Sequence, residues 1–126
     1  MNIIFTQEEL EYMWKKLVDS GHKKAVALNN SYRNEKLEDP VDVDKWENFN
    51  AYRYLNDALK RQVANEFFKT CDVSDITIVL INKGFNVQQI NQILKAKEEK
   101  KDLNKYLDTT ITSEKLRQMR QNDIER

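Results

Sequence analysis

The residue types that most often carry catalytic or metal chemistry are scarce in this chain of 126 residues. His22 is the only histidine and Cys71 the only cysteine, so the chain cannot assemble a zinc site of Cys and His ligands. A nucleophilic pair of Cys71 and His22 would need an accessible thiolate, whereas Cys71 falls on the apolar stripe of a predicted helix. We therefore expect no metal and no cofactor. We expect His22 to cap the helix end that it follows or to lie on the surface.

Three carboxylates near the single proline could also do chemistry, because Asp39, Asp42 and Asp44 offer oxygen ligands for Ca²⁺ or Mg²⁺. The segment lacks the glycine and the ligand spacing of an EF-hand loop, and Asp44 suits the N-cap of a helix with Glu47 three residues later. We predict a solvated loop, in which Asp39 and Asp42 could contact a basic protein partner.

The chain contains no glycine-rich phosphate loop, no nucleophile elbow and no HExxH motif. We therefore predict that the protein is not an enzyme. A carboxylate site around Asp39, Asp42 and Asp44 is the enzymatic alternative.

The composition favours an all-α protein. Two glycines and one proline are too few for a sandwich or barrel, which needs a turn about every eight to twelve residues.

The 21 basic and 21 acidic residues cancel, so the chain as a whole is not drawn to nucleic acid or to an anionic membrane. The sequence shows neither a signal peptide nor an apolar run of about 18 residues, so we expect a cytoplasmic protein that does not contact membranes. Its richness in Lys, Asn, Ile and Glu is typical of an AT-rich genome, such as that of a low-GC bacterium or its phage.

Apolar periodicity and capping residues predict one compact domain over residues 1–126, with five or six helices. The predicted helices cover about 7–19, 23–36, 45–70, 75–83 and 87–107, and a last one begins near Ser113. The helix over 45–70 contains neither glycine nor proline, and its apolar residues recur at steps of three and four, so we expect it to be the centre of the fold. Arg53 and Tyr54 on this helix cannot both turn inward, which makes them a candidate protein interface.

The segment 73–97 predicts two helices joined by a sharp turn at Gly84. Its residues Leu80, Gly84, Ile90 and Leu94 resemble the framework of bacterial helix–turn–helix DNA-binding units. The shorter run Leu-x-x-Lys-Gly-Phe at 80–85 is also similar to the Gly-Phe loop of ubiquitin-associated domains. The helix–turn–helix resemblance implies that the second helix enters the major groove of duplex DNA. Its candidate DNA or partner contacts are the amides Asn86, Gln88, Gln89, Asn91 and Gln92 and the lysines Lys95, Lys97, Lys100 and Lys101.

The first half of the same segment is very apolar, since Ile76, Ile78, Val79, Leu80 and Ile81 lie close together. A single helix cannot turn all five toward one core, so a homodimer or another protein partner is expected to cover the remainder. The run also has strand propensity, and residues 3–5 or 109–112 could pair with it, so minor β content at 76–81 stays open as an alternative.

The sequence therefore favours a small, non-enzymatic regulatory or inhibitor-type protein that acts by docking on a protein partner. The alternative is a helix–turn–helix DNA-binding regulator or accessory factor.

Overall fold

The computed structural model of the chain describes residues 3–37 and 43–124, without the side chains of residues 43, 123 and 124. Helices are the only regular secondary structure of these residues, so the prediction of an all-α protein is confirmed. A strand over 76–81 is not confirmed, because a helix spans these residues. The seven described α-helices are α1 (Gln7–Asp19), α2 (Lys23–Lys36), α3 (Val43–Glu47), α4 (Asp57–Thr70), α5 (Val73–Asn82), α6 (Val87–Glu98) and α7 (Ser113–Ile124). Two short 3-10 helices cover Ala51–Tyr54 and Leu103–Lys105.

The contacts of the chain divide it into two compact units. The N-terminal unit comprises residues 5–71, and the C-terminal unit comprises residues 72–126 together with residues 1–4. In the N-terminal unit, α1 packs against α2, α4 and the first 3-10 helix. In the C-terminal unit, α6 packs against α5, α7 and the second 3-10 helix. The prediction that residues 1–126 form one domain stays a prediction.

Local capping sets the ends of α1. Thr6 accepts a hydrogen bond from the Glu9 amide, and the Glu9 carboxylate accepts one from the Thr6 amide, as the sequence predicts. At the other end Gly21 has φ +81°, and its amide donates to the Val18 carbonyl at 3.0 Å. A glycine adopts this left-handed conformation without the steric cost of a Cβ atom, so α1 ends where the sequence predicts.

A buried carboxamide joins three elements of the N-terminal unit. Asn29 on α2 is 4% exposed, and its Oδ1 accepts hydrogen bonds from Trp14 Nε1 of α1 at 3.0 Å and from the Ala51 amide at 2.9 Å. A buried donor that lacks an acceptor costs stability, so this one oxygen satisfies two donors that would otherwise be unpaired. It also fixes the position of the first 3-10 helix against α1 and α2.

The predicted long helix over 45–70 is wrong. The chain forms α3, then the 3-10 helix Ala51–Tyr54, and then α4 from Asp57. Two asparagine side chains start the new elements, because Asn50 accepts from the Tyr52 amide and Asn56 accepts from the Leu59 amide, each at 2.9 Å. Asparagine competes with the helical backbone in this way, so it interrupts a helix although the apolar spacing continues across the break. The same division raises the number of described α-helices to seven, against the predicted five or six.

Asp44 is also placed differently from the prediction. The helix α3 begins at Val43, so Asp44 lies within its first turn and is not its N-cap. A carboxylate in the first turn still favours the helix through the partial positive charge of the helix N-terminus.

The turn between α5 and α6 has the predicted form. Gly84 has φ +97°, and the Gly84 and Phe85 amides donate to the Ile81 and Leu80 carbonyls at 3.0 and 3.2 Å. Asn86 and Gln89 then form a reciprocal capping box at the start of α6. The helix–turn–helix-like unit at 73–97 is therefore present as two helices and a tight glycine turn.

The helix α6 ends at Glu98 and does not continue to residue 107 as the sequence suggests. Lys100 has φ +61°, and the Lys101 amide donates to the Ala96 carbonyl at 3.0 Å, which is the bond that closes a helix C-terminus. A lysine in this left-handed conformation gives no signal in the sequence, because glycine or asparagine is the usual choice. The sequence predicts Ser113 as the cap of the last helix, but α7 already includes Ser113, and Thr112 is the cap, since the Lys115 amide donates to Thr112 Oγ1 at 3.1 Å.

We predict that Asn29→Ala lowers the free energy of unfolding by about 2–4 kcal/mol, because it leaves the Trp14 and Ala51 donors buried without an acceptor. Asn34→Ala on the exposed side of α2 is the matched control, and we expect it to change stability by less than about 0.5 kcal/mol. Urea denaturation followed by tryptophan fluorescence measures both. An equal effect of the two substitutions would show that the Asn29 bonds do not hold the unit together.

Candidate functional site

Both ring nitrogens of His22 are engaged. Its Nδ1 accepts from the Ala25 amide at 3.2 Å, so the His22 side chain caps the start of α2, whereas its backbone amide donates to the Leu17 carbonyl at 3.1 Å and helps to close the end of α1. Its Nε2 lies 3.1 Å from Glu66 Oε2, which the Nε2–H tautomer explains, because this tautomer donates to the carboxylate. Neither nitrogen is therefore available to take a proton from a substrate or to activate Cys71, which is buried at the end of α4.

The cleft beside this pair is too small for a small molecule. It is lined by the apolar side chains of Trp14, Leu17 and Val63 as well as by His22 and Glu66, and its volume is about 30 Å³. That volume holds about two water molecules, whereas ligand pockets measure roughly 300–1,000 Å³. We therefore assign no ligand larger than water to this cleft.

The carboxylate cluster of the sequence lies mostly beyond the described residues. Asp39 and Asp42 fall outside them, and Asp44 is exposed on α3. Within the described ranges, no group of three or more His, Cys, Asp or Glu residues is arranged to hold a metal ion. None of the described helices is both long and apolar enough to cross a membrane.

Three described groups have a shifted pKa. Burial and the neighbouring Glu11 carboxylate raise the pKa of the Tyr52 phenol. On the surface of α7, a hydrogen bond from Arg117 lowers the pKa of Glu114, and the same bond raises the pKa of Arg117. These shifts come from a buried phenol and an exposed ion pair and do not indicate a prepared acid–base group.

Arg53 and Tyr54 are both exposed, but the Tyr54 ring is already occupied within the N-terminal unit. It stacks on Tyr32 with ring centroids 6.0 Å apart and on Phe49 with centroids 5.9 Å apart. Lys36 Nζ lies 5.2 Å from the centroid of the same ring. The ring therefore has little free face for a partner, and of the two predicted interface residues Arg53 is the more available.

The candidate amides and lysines of α6 have three different environments. Asn86, Gln88, Asn91, Lys95 and Lys100 are exposed, Gln92, Lys97 and Lys101 are half-buried, and Gln89 is buried. Gln88, Asn91 and Lys95 follow one another at steps of three and four residues, so they share one exposed row of the helix.

Gln89 does not face a ligand, which corrects the sequence interpretation. Its Nε2 donates to the carbonyls of Thr109 at 3.0 Å and of Ile111 at 2.8 Å, and these bonds tie the loop before α7 to α6. Gln92 is also partly used inside the unit, because Arg120 of α7 donates to its Oε1 at 3.3 Å and pairs with Glu99 at 2.7 Å. Both contacts are tertiary, so no local pattern in the sequence announces them.

The helix α5 exposes an apolar face. Ile76, Val79 and Leu80 are buried, whereas Ile78 is 48% and Ile81 is 55% exposed. The two exposed isoleucines lie three residues apart and thus on adjacent turns of one face. The apolar run of α5 is expected from its sequence to be buried or covered throughout, and the structure shows which side of it the C-terminal unit leaves uncovered.

None of the exposed residues of α5 is charged, and its one charged residue, Asp75, is half-buried three residues before Ile78. The exposed residues of α5 are Val73, Ser74, Ile78, Ile81 and Asn82. Each of the other described α-helices exposes at least one charged residue, as expected for a chain that is 33% charged. Isolated exposed apolar residues are common on protein surfaces, but a helix face that is both apolar and free of charge is typical of the centre of an interface.

Val87, the first residue of α6, is 70% exposed, and sequence reasoning missed it. The sequence carries no signal for this exposure, because Val87 lies three residues before Ile90 and so falls on the apolar stripe of the helix. Val87 and the α5 residues belong to the same unit.

Comparison of the chain with protein-family models, with curated proteins and with solved structures found no match.

We predict that Gln89→Ala lowers the free energy of unfolding by roughly 2 kcal/mol, because it removes the hydrogen bonds to Thr109 and Ile111. Gln88→Ala, on the exposed side of the same helix turn, should change it by less than about 0.5 kcal/mol. Thermal denaturation followed by circular dichroism compares the two variants. If Gln88→Ala were the more damaging change, the structural role that we assign to Gln89 would be wrong.

Proposed function

We propose that this chain is a small, non-enzymatic regulatory or inhibitor-type protein that docks on a partner protein through the uncharged face of α5. The observation that carries the proposal is the exposure of Ile78 and Ile81 on a face whose other exposed residues are uncharged. Contact of such a face with water is unfavourable, and burying it in an interface stabilises the complex by roughly 1–2 kcal/mol for each half-exposed isoleucine.

The charge pattern supports a protein partner over a nucleic acid. A nucleic acid is held mainly by cations that neutralise its phosphates, and the exposed face of α5 offers none. The core of a protein interface is instead depleted of charged residues and is enclosed by a polar rim. On α5, Ser74 and Asn82 lie at the two ends of the isoleucine pair and provide such a polar border. A cytoplasmic location stays a prediction.

Photocrosslinking in cells tests the proposal. A photoreactive phenylalanine analogue in place of Ile78 should form an adduct with a protein, because that side chain lies in the proposed interface. The same analogue in place of Gln118, which is exposed on α7, is the matched control and should give no specific adduct. Adding Ile81→Glu to the first variant should abolish its adduct, since a carboxylate would then be buried against apolar surface. Equal labelling at the two positions, or an adduct that survives Ile81→Glu, would contradict the proposal.

The second candidate function is duplex DNA binding by α6. The exposed row of Gln88, Asn91 and Lys95 on the helix that follows a tight glycine turn favours it. Glutamine and asparagine can form paired hydrogen bonds with adenine in the major groove. Against it, Gln89 and Gln92 already bond within the unit, and Glu98 interrupts the lysines at the end of the helix.

A gel-shift titration separates this candidate from protein docking. If α6 binds DNA, the chain should shift a mixed duplex at about 50 mM salt, and the affinity should fall steeply as salt is raised. Lys95→Glu, or the pair Lys100→Glu and Lys101→Glu, should then weaken binding at least roughly tenfold, whereas Lys115→Glu on α7 should have little effect. No shift at the lowest salt would exclude the DNA-binding candidate.

A further inference from the structure

We infer that the occupant of the uncharged α5 face is a second copy of this chain, with the two α5 helices antiparallel. This inference rests on the proposed function, because it names the partner of the same surface. It concerns Ile78, Ile81 and the exposed residues next to them on α5, all of which belong to the C-terminal unit.

The exposed surface of α5 suits pairing with its own copy. In a dimer with two-fold symmetry the same patch meets itself, so any charge close to the axis meets its own copy. A charged side chain close to the axis would therefore repel its own copy. The exposed residues of α5 avoid this cost, because none of them is charged.

The spacing of the two isoleucines also suits an antiparallel pair. Ile78 and Ile81 lie on one face, three residues apart, with a buried pair of residues between them in sequence. An antiparallel pair of α5 helices centred between them places each Ile78 against Ile81 of the other copy, and each Ile81 against Ile78. Ser74, one turn earlier on the same face, is small enough to let the helix ends approach.

The size of the patch sets the expected strength. A helix of 10 residues is only about 15 Å long, so α5 alone covers less than the roughly 800 Å² per partner of a standard stable interface. The dimer should therefore be weak, with a dissociation constant in the range of about 10 µM to 1 mM. It would be monomeric at the concentrations of many binding assays and dimeric in concentrated samples.

Sedimentation of the full chain at concentrations from about 10 µM to about 1 mM tests the pairing. We expect the mass to rise from monomer to dimer across this range. Ile78→Glu should remain monomeric throughout, because it places two carboxylates in the apolar centre of the interface. Gln118→Glu adds the same charge to the exposed side of α7 and should behave like the unchanged chain. Circular dichroism of each variant confirms that it is folded.

Disulfide capture tests the orientation. In a Cys71→Ala background, chains with Ile78→Cys and chains with Ile81→Cys are mixed and oxidised with diamide, which takes up the two electrons and two protons of disulfide formation. The mixture should form covalent dimers at least several-fold faster than either variant alone. Faster capture between two Ile78→Cys chains would overturn the antiparallel register.

The failure of this inference differs from the failure of the proposed function. A chain that stays monomeric at the highest concentration, with an in-cell adduct at position 78 to a different protein, overturns the self-pairing and leaves protein docking in place. A monomeric chain without an adduct at position 78 overturns both. An adduct at position 78 whose mass is that of a second copy supports the pairing.

Discussion

A buried carboxamide that has to be fully hydrogen-bonded is the constraint on which the arrangement of the N-terminal unit depends. Asn29 brings its oxygen to the Trp14 ring of α1 and to the Ala51 amide, so α1, α2 and the first 3-10 helix are positioned by one acceptor. Gln89 has the equivalent role in the C-terminal unit, where its amide hydrogens hold the Thr109 and Ile111 carbonyls. The two residues are the buried polar side chains of the described chain, and both bond to groups distant in sequence, while Gln89 Oε1 also accepts from the nearby Asn86 amide.

Carboxamides also begin several helical elements. Asn50, Asn56 and Asn86 each accept a hydrogen bond from a backbone amide at the start of a helix. The chain has two glycines and one proline, so it relies on these asparagine caps to end one helical element and begin the next. The rigidity of the fold therefore depends on short polar contacts as well as on the apolar core.

Local signals explain what the sequence could predict. The bounds of α1 and α2 follow from the Thr6 capping box, Gly21 and the residues between, all of which act over three or four positions. The long helix over 45–70 could not be rejected from periodicity, because its apolar spacing continues through Asn50 and Asn56 while the backbone does not. The buried position of Gln89 and the end of α6 depend on tertiary contacts or on a strained Lys100, for which the sequence carries no pattern. For α5, composition predicted an excess of apolar residues, but only the packing of Ile76, Val79 and Leu80 decides that Ile78 and Ile81 remain outside.

The two tryptophans lie in one of the two compact units. Trp14 and Trp46 both lie within residues 5–71, the first hydrogen-bonded in the core and the second beneath the Arg33 guanidinium at 3.8 Å. Indole emission therefore reports on the N-terminal unit, whereas the helices α5, α6 and α7 contribute to the far-ultraviolet signal without an indole of their own. Loss of the indole signal therefore reports unfolding of the N-terminal unit alone, whereas the far-ultraviolet signal reports the helices of both units.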